Sequence, residues 1–362
     1  MAISMRKEVD SLGPLNIPSY AYYGIQTMRA HLSFPSVSLP LHKELIVNLA
    51  QVKKSAAVAN IRMGKLPRKL GGVMVLATDE VIRGLHSQNF ILDSLHGGSS
   101  EAFNANMNEV IANRALELLL ENKGDYRLCS PQEHVNLSQS AELTVSLAIR
   151  VALHRQGAHL ARELEKLKAR FSRLERRSIL SEEKRLYAGV VRNLRAHRDR
   201  LQAPVDRLLA VRVMPVFLED YLDNAFLPRM FSLLSESLQL DLRLIREPAQ
   251  AADDGNLPEL SASLSKLSSA LAKLCAKLPR APLAKGVEAM PERLETLRQV
   301  ALQLSGNHRI VATASLLPAG TPRQASPYVA NTLLQSVTLL EHALFCLGGV
   351  VTLLEAAAEE KS

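Results

Sequence analysis

The sequence predicts an all-α fold built around a bundle of long helices. Leucine and alanine are abundant, aromatic residues make up 4% of the 362 residues, and tryptophan is absent. This composition favours helices over sheets. Residues 136–177 contain no proline and a single glycine, and their apolar residues recur at steps of three and four. Such a stripe is typical of a packed helix, and its length indicates that other helices or subunits cover it.

The other elements follow from helical periodicity and from the residues that interrupt it. Residues 1–40 carry four prolines and are expected to be irregular, and the Gly71–Gly72 pair is expected to separate two helices. Residues 246–259 and 317–327 are predicted loops, and the only strand candidate is a short piece near 310–314. The predicted helices cover 41–63, 74–86, 106–121, 136–177, 181–201, 205–217, 228–245, 258–278, 291–304 and 328–358.

Cysteine usage and hydropathy predict the compartment. Cys129, Cys275 and Cys346 are odd in number and far apart, which argues against a disulfide framework and for a reducing environment. The sequence has no CxxC or Cys/His cluster, so no metal or other cofactor is expected. The longest nearly apolar run, 343–354, is shorter than the roughly 20 residues of a membrane span. We therefore expect a cytoplasmic protein without a membrane segment.

Positive charge is concentrated in one segment. The chain has a net charge of +8, and residues 150–200 alone hold 15 Lys or Arg against 6 Asp or Glu. This excess could attract nucleic acid or an acidic partner, or it could be the solvated face of a long helix. The interleaved acidic residues and the lack of an aromatic platform favour the solvated face.

Two polar segments could bind an anion, and the first surrounds a glycine pair. Gly97 and Gly98 precede a predicted helix and could present backbone N–H groups to an anion. Asn104, Asn106 and Asn108 add amide donors a few residues later. Glycine pairs are also common in turns, so a purely structural role remains open.

The second polar segment is "HVNLSQSAEL", residues 134–143. Asn136, Ser138, Gln139 and Ser140 offer amide and hydroxyl groups where a helix could start, and a helix start favours negative charge. The same residue types commonly cap helices. Binding and capping are therefore both compatible with this segment.

Three segments of the sequence carry a family resemblance: "AYYGIQTMRA" (21–30), "HGGSSEAFNANMNEVIANRALELL" (96–119) and "SPQEHVNLSQSAELTVSLAIRVAL" (130–153). They resemble the N-terminal half of the aspartase/fumarase superfamily, most closely its aspartate ammonia-lyase branch. The resemblance implies a long-helix bundle with a small mixed N-terminal domain over 1–135 and a central helical domain over 136–358. The small C-terminal domain of the family is expected to be largely missing. The family chemistry is a β-elimination, and its homotetramers assemble each site from three subunits.

The resemblance also implies which residues belong to a vestigial site. Ser140 and His134 are the vestigial catalytic candidates, although the histidine of the family's "HVN" segment is not the usual base and His134 is interpreted as structural. Arg29 aligns with a family arginine near the substrate, and pairing with a helix end is its alternative role. The implied substrate-binding residues are Arg29, Asn104, Asn106, Asn136, Ser138, Gln139 and Ser140.

Six positions depart from the family pattern. The family carries a run of hydroxyl residues after its glycine turn, and a second hydroxyl and amide run after the glutamine of the "HVN" segment. The departures are Glu101, Ala102, Phe103, Ala141, Glu142 and Leu143. The family hydroxyls hold a substrate carboxylate, and two acidic side chains in their place would repel it.

Two further family signatures have no clear counterpart. The Thr-His pair of the family aligns with Asp199 and Arg200, and His197 is a substitute outside the register. The loop that carries the serine base of the family has no counterpart in 279–304, and this segment is expected to lead directly from one helix to the next.

These observations predict a protein that has lost the family's β-elimination and acts through assembly. The expected partners are further copies of the chain, in a tetramer, or an active paralogue. The alternative is an active lyase with a rebuilt site for a different amino-acid or dicarboxylate substrate. Its candidate residues are Ser140, His134, Glu142, Glu101 and Arg29.

Overall fold

The structure is a computed structural model, and it describes residues 4–96, 100–213, 225–245, 257–278, 290–316 and 326–359. In these residues the chain forms ten α-helices and four short strands, which confirms the predicted all-α class. The helices are α1 (Ile25–Ser33), α2 (Lys43–Arg62), α3 (Arg68–Ile82), α4 (Ser100–Leu118), α5 (Ala141–Arg177), α6 (Ser181–Arg207), α7 (Phe226–Leu238), α8 (Leu257–Lys277), α9 (Met290–Ala314) and α10 (Pro327–Glu359). The strands are β1 (Met5–Asp10), β2 (Gly13–Pro18), β3 (Ala210–Arg212) and β4 (Arg243–Ile245).

The chain folds into two compact units, and the boundary between them falls within α5, after Ala152. The first unit takes its residues from 1–152, 209–255 and 318–331, and the second takes the remainder. In the first unit α2 packs against α3 and α7, and α4 is buried on all its faces. In the second unit α8 packs against α6 and α9. The family-based division at residue 135 stays a prediction.

The N-terminal forty residues are more regular than predicted. β1 and β2 form an antiparallel hairpin in which Met5 pairs with Pro18 and Asp10 with Gly13. Gly13 has a φ of +103°, a conformation that favours glycine. The prediction of irregular structure was wrong because prolines are compatible with edge strands, where no neighbour needs their missing N–H group.

Several predicted helix limits were also wrong. α3 runs through the Gly71–Gly72 pair, and a side chain at Gly71 would lie 2.5 Å from Ile61, so close packing explains that glycine. α4 begins earlier than predicted and α5 later, after a π-helical turn at Pro131–Val135. Over 205–213, the predicted helix 205–217 is replaced by the end of α6 and by β3, and its residues 214–217 lie outside the described residues. β4 takes the end of the predicted helix 228–245. The piece near 310–314 is helical.

α10 is more apolar than the 343–354 run suggested. Its residues Pro327–Ala356 are long and apolar enough, by length and composition alone, to cross a membrane, with a mean hydropathy of 1.9 and 44% of the window buried. Core helices of helical bundles have the same composition. Phe345 on this helix is 83% exposed, so α10 presents apolar surface outside its own chain's core.

Candidate functional site

The second polar segment folds into a buried cluster around Asn136. The Oδ1 atom of Asn136 accepts hydrogen bonds from Lys53 Nζ at 2.8 Å and from Asn104 Nδ2 at 3.1 Å. Its Nδ2 atom donates to the carbonyl of Gln139 at 3.2 Å. These four residues, Lys53, Asn104, Asn136 and Gln139, are all buried and form what we call the Asn136 cluster.

The turn between Asn136 and α5 is held by a second set of hydrogen bonds. Ser138 has a φ of +60°, and its Oγ donates to Asn60 Oδ1 at 3.1 Å. Asn60 returns a hydrogen bond from its Nδ2 to the carbonyl of Leu137 at 2.9 Å. The Nε2 of Gln139 donates to the carbonyl of Val135 at 2.9 Å. The amides and hydroxyls of this turn therefore satisfy backbone and side-chain groups of the fold.

The two vestigial catalytic candidates also have structural partners. Ser140 Oγ accepts a hydrogen bond from the N–H of Leu143 at 3.1 Å, which is a helix N-cap at the start of α5. His134 Nδ1 accepts from the N–H of Ser130 at 2.8 Å and closes the π-helical turn. Capping, the alternative role of these residue types, accounts for the contacts of both side chains.

Lys53 is the member of the Asn136 cluster that sequence reasoning missed. It is 1% exposed, and Asn136 is the hydrogen-bond acceptor of its ammonium group among the described residues. Complete burial lowers the pKa of Lys53 well below its usual value. The signal in the sequence was a lysine at an apolar position of "LAQVKKSAAVAN", which the adjacent Lys54 concealed.

The departures from the family pattern occupy the first turns of two helices. Glu101 lies in the first turn of α4 and Glu142 in the first turn of α5, where the helix dipole stabilises a carboxylate. Phe103 is 2% exposed and belongs to the core of the first unit. Ala102, Ala141 and Leu143 are half-buried and bring no polar group.

Two predicted site residues lie outside the Asn136 cluster. Arg29 binds Asp10 through two hydrogen bonds of 2.7 Å and also donates to the carbonyl of Gly13, so it holds the N-terminal hairpin. Asn106 donates to the carbonyl of Asn89 at 3.0 Å. The structure therefore brings together Asn104, Asn136, Ser138, Gln139 and Ser140, and separates Arg29 and Asn106 from them.

A buried carboxylate at the start of α1 is a second polar centre that sequence reasoning missed. Glu109 is 1% exposed and accepts hydrogen bonds from the N–H groups of Gly24, Gln26 and Thr27 at 2.8 to 3.1 Å. The Thr27 hydroxyl donates to it at 2.5 Å. Burial raises the pKa of Glu109 to about 7, against the opposing effect of these donors. A side chain at Gly24 would collide with Glu109 and with the Tyr126 hydroxyl, so glycine is required there.

The counterparts of the family's remaining signatures lie in other places. Asp199 and Arg200 are exposed residues of α6, and His197 is half-buried on the same helix. Burial and the nearby Arg200 and Lys266 lower the pKa of His197. Gly97 and Gly98 and the first part of 279–304 lie outside the described residues. No group of three or more His, Cys, Asp or Glu that could hold a metal occurs in the part of the chain that is described.

Known proteins resemble the chain in both sequence and structure. Residues 13–179 match the sequence profile of a family described as Lyase. An aspartate ammonia-lyase of Bacillus sp is 48% identical over 153 residues, which are 42% of this chain and 33% of that protein. The aspartate ammonia-lyase of Bacillus subtilis strain 168 is 30% identical over 93% of this chain and 78% of its own length.

Two solved structures share the fold over nearly the whole chain. A fumarate lyase:delta crystallin from Brucella melitensis, bound to cobalt, has a TM-score of 0.85 and 28% identity, and the match covers 94% of this chain and 83% of that chain. The class II fumarase of Schistosoma mansoni has a TM-score of 0.83 and 25% identity over 95% of this chain and 83% of its own. The fold and the sequence match thus define a lyase-like helical bundle.

The relationship to the Bacillus subtilis enzyme identifies the family within that class. It extends over most of both proteins, so the chain belongs to the aspartase/fumarase superfamily. In the match to the Bacillus sp enzyme, the chain spans only a third of the relative's length.

Proposed function

We propose that this chain is a member of the superfamily that has lost β-elimination and acts through assembly with other chains. The observation that carries the proposal is that the polar residues shared with the family pattern form hydrogen bonds within the fold. Ser138 and the amide of Asn136 donate hydrogen bonds that hold the turn before α5, and Ser140 accepts one there as the helix cap. A donor group that is already engaged within the fold is a poor donor to a substrate carboxylate.

The departures support the same proposal through charge. Glu101 and Glu142 replace family residues that hold a substrate carboxylate, and two unit charges at about 4 Å repel by about 1 kcal/mol in water and by more where water is excluded. Phe103 has become part of the core. The family chemistry also needs an oriented base, and the sequence offers no counterpart of its serine loop.

The apolar face of α10 supports assembly. More than half of the apolar window of this helix is not buried within the chain, and Phe345 is largely exposed. Extended apolar surface of this kind marks interaction sites in proteins. We propose a homotetramer in the cytoplasm, in which α5 and α10 contribute to the contacts, with an active paralogue as a second partner.

The alternative is an active lyase with a rebuilt site, and one observation favours it. The amide oxygens of Asn104 and Gln139 are buried and accept no hydrogen bond from the described residues. Free acceptors next to Asn136 would suit the amino group of a substrate. A site of this kind would take an amino acid rather than a simple dicarboxylate.

The test measures turnover of the purified full chain with aspartate, malate and fumarate plus ammonia, through the ultraviolet absorbance of fumarate. The Bacillus subtilis enzyme serves as the positive control. We expect turnover rates at least about 10²–10³-fold lower than those of that enzyme, because the loss of one positioned hydrogen-bond donor alone can lower the rate by this factor. Robust turnover that disappears in Ser140→Ala would contradict the proposal and favour the rebuilt lyase.

Assembly is measured separately, by light scattering of the purified chain and by the mass of the complex isolated from its native cells. We expect a tetramer in the first measurement. A monomer at micromolar concentration in light scattering, together with a single-chain mass from the cells, would contradict the proposed assembly.

A further inference from the structure

A groove between α6 and α8, in the second unit, has a lining that no part of the proposed function uses. It forms a cavity of about 310 Å³ that is open to solvent. Its polar lining consists of His197, Arg200, Ser265, Lys266, Ser269 and Lys273. We call it the cationic groove. Three cationic side chains, one imidazole and two hydroxyls converge there, and no carboxylate of the described residues lines it.

The positive lining continues along the same two helices. A second cavity of about 350 Å³ shares His197 and Lys273 with the first and adds Arg185 and Lys277. Lys266, Lys273 and Lys277 are seven and four residues apart, so they follow one face of α8 over about 16 Å at 1.5 Å per residue. The groove is therefore an extended row of cations.

The charges of the groove are not neutralised by the surrounding described residues. Arg198, which neighbours the groove on α6, pairs with Asp199 at 3.0 Å and with Glu165 at 4.0 Å. By contrast, Arg200, Lys266 and Lys273 form no ion pair with any described residue. Within the groove, burial and the nearby positive charges of Arg200 and Lys266 lower the pKa of His197. Like charges held together without counter-charges favour the binding of an anion.

We propose that the cationic groove binds a small multivalent oxyanion of the phosphate class, such as a short polyphosphate chain. Lys and Arg form charge-assisted hydrogen bonds with phosphate oxygens. The two serine hydroxyls add neutral donors between the lysines of α8. A chain of phosphates would match a row of cations better than a single phosphate, because successive charges would meet successive side chains.

Two macromolecular partners fit the groove less well. Single-stranded nucleic acid stacks its bases on aromatic side chains, and no aromatic residue lines either cavity. An acidic amphipathic helix needs an open apolar surface for its apolar face. Leu267 and Leu271, which line the second cavity, are 1% and 3% exposed and offer such a helix little apolar surface.

The experiment is calorimetric titration of the purified full chain with tripolyphosphate, and with inorganic phosphate, succinate and a DNA oligonucleotide for comparison. The test variant is Lys266→Gln/Lys273→Gln. The matched control, Lys43→Gln/Lys69→Gln, removes the same charge from exposed lysines of the first unit. Circular dichroism and thermal unfolding establish that both variants are folded.

We expect tripolyphosphate to bind the wild-type chain more tightly than phosphate or succinate does. The test variant should bind it at least about tenfold more weakly, because each lost charge-assisted hydrogen bond has about that effect. The control should bind within about twofold of wild type. Binding should weaken as salt is raised, because the groove is open to solvent.

Three outcomes would overturn the proposal. The first is no binding of tripolyphosphate by the folded wild-type chain, and the second is equal weakening in both variants. The third is tighter binding of succinate or of DNA than of tripolyphosphate, which would assign the groove to a dicarboxylate or to nucleic acid. None of these outcomes depends on lyase turnover, so the result is independent of the proposed loss of catalysis.

Discussion

Glu109 shows how a single buried carboxyl group can organise the first unit. It lies in the middle of α4, within "NEVIANRA", and joins that helix to the start of α1 through four hydrogen bonds. The first N–H groups of a helix have no partner within the helix, and an anion is well suited to satisfy them. The similarity of this segment to the family thus has a structural cause that is separate from catalysis.

The first prediction concerns Glu109→Gln. The amide keeps one acceptor oxygen and turns an NH₂ group toward N–H donors, so we expect the free energy of unfolding to fall by about 1–3 kcal/mol at pH 5. The folded-state pKa of about 7 lies above the usual 4.5. The stability that this group contributes is therefore complete below about pH 4.5 and is lost as the pH rises through 7. The difference in unfolding free energy between the variant and the wild type should therefore become smaller from pH 5 to pH 8.

Chemical denaturation across this pH range is the measurement. Glu121→Gln, an exposed position, is the matched control and should follow the wild type. If the difference in unfolding free energy between Glu109→Gln and wild type grew as the pH rises, the fold would stabilise the carboxylate form of Glu109 and not the acid.

The second prediction concerns Lys53, whose burial lowers its pKa. Folding then releases a proton from this lysine, so wild-type stability should rise with pH up to the ordinary lysine pKa. Lys53→Met has similar volume and should remove that rise while the fold is kept, with a change of less than about 1.5 kcal/mol near neutral pH. Asn136 keeps its hydrogen bond from Asn104 in the variant.

Denaturation between about pH 7 and pH 10 tests this prediction. Lys54→Met is the control, because Lys54 is partly exposed and pairs with Asp79 at 2.7 Å. The prediction is wrong if Lys53→Met retains the pH dependence of the wild type, or if Lys54→Met loses it.

At the scale of elements, α5 and α6 pack together near residues that have low helix propensity. Pro204 lies inside α6 and cannot donate to the carbonyl of Arg200. Ser263 Oγ donates to that carbonyl at 3.4 Å. One residue later, Val205 packs on Gly157 of α5, and its carbonyl bonds His154 Nδ1 at 3.0 Å. Contacts with neighbouring helices thus compensate for a proline and a glycine inside long helices.

The third prediction compares two glycines of the second unit. A Cβ atom at Gly157 would lie 2.6 Å from Val205 Cγ2, and valine side chains have little rotational freedom. Gly157→Ala should therefore lower the free energy of unfolding by about 1–3 kcal/mol. No atom of a described residue lies within 4 Å of a Cβ atom added at Gly306 in α9. Gly306→Ala should therefore raise the free energy of unfolding by about 0.5–1 kcal/mol, because alanine is the better helix former.

Thermal and chemical denaturation of the two variants provide the measurement. Opposite signs are the expected result. If Gly157→Ala stabilised the protein, α5 and α6 would be able to move apart at no cost in free energy. That result would contradict the importance of the close contact between Gly157 and Val205.

For the whole molecule, the question is whether restoring the lost polar groups would restore catalysis. The fourth prediction uses Glu101→Thr, Ala102→Ser, Ala141→Thr and Glu142→Asn together. Phe103 is left unchanged because it is part of the core. The changes remove two negative charges and add hydroxyl and amide groups, so we expect weak binding of succinate to appear. We expect no turnover, because binding without a base stabilises the ground state and does not lower the barrier.

Calorimetry with succinate and a turnover assay on the same preparation test this prediction. A control with Glu121→Gln and Glu133→Gln removes the same charge elsewhere and should not bind succinate. Turnover in the fourfold variant would mean that a base is present, and it would contradict the proposed loss of function.

The sequence by itself determined the fold class, the family and the location of the polar turn before α5. Helical periodicity and a stripe of leucines are local properties, so α2, α5, α8 and α10 could be predicted within a few residues. Motifs such as "NEVIANRA" carried the family. The departures at Glu101 and Glu142 were also visible in the letters alone.

Only the tertiary structure decided what the polar residues bind. Arg29, predicted near a substrate, holds Asp10, and Lys53, for which the sequence predicted no role, is buried against Asn136. Hydrogen-bond partners here are often eighty or more residues apart, as in Glu109 with Gly24. Such pairings follow from the packing of whole helices and not from local spacing, because each buried polar group must find a partner wherever the fold places one.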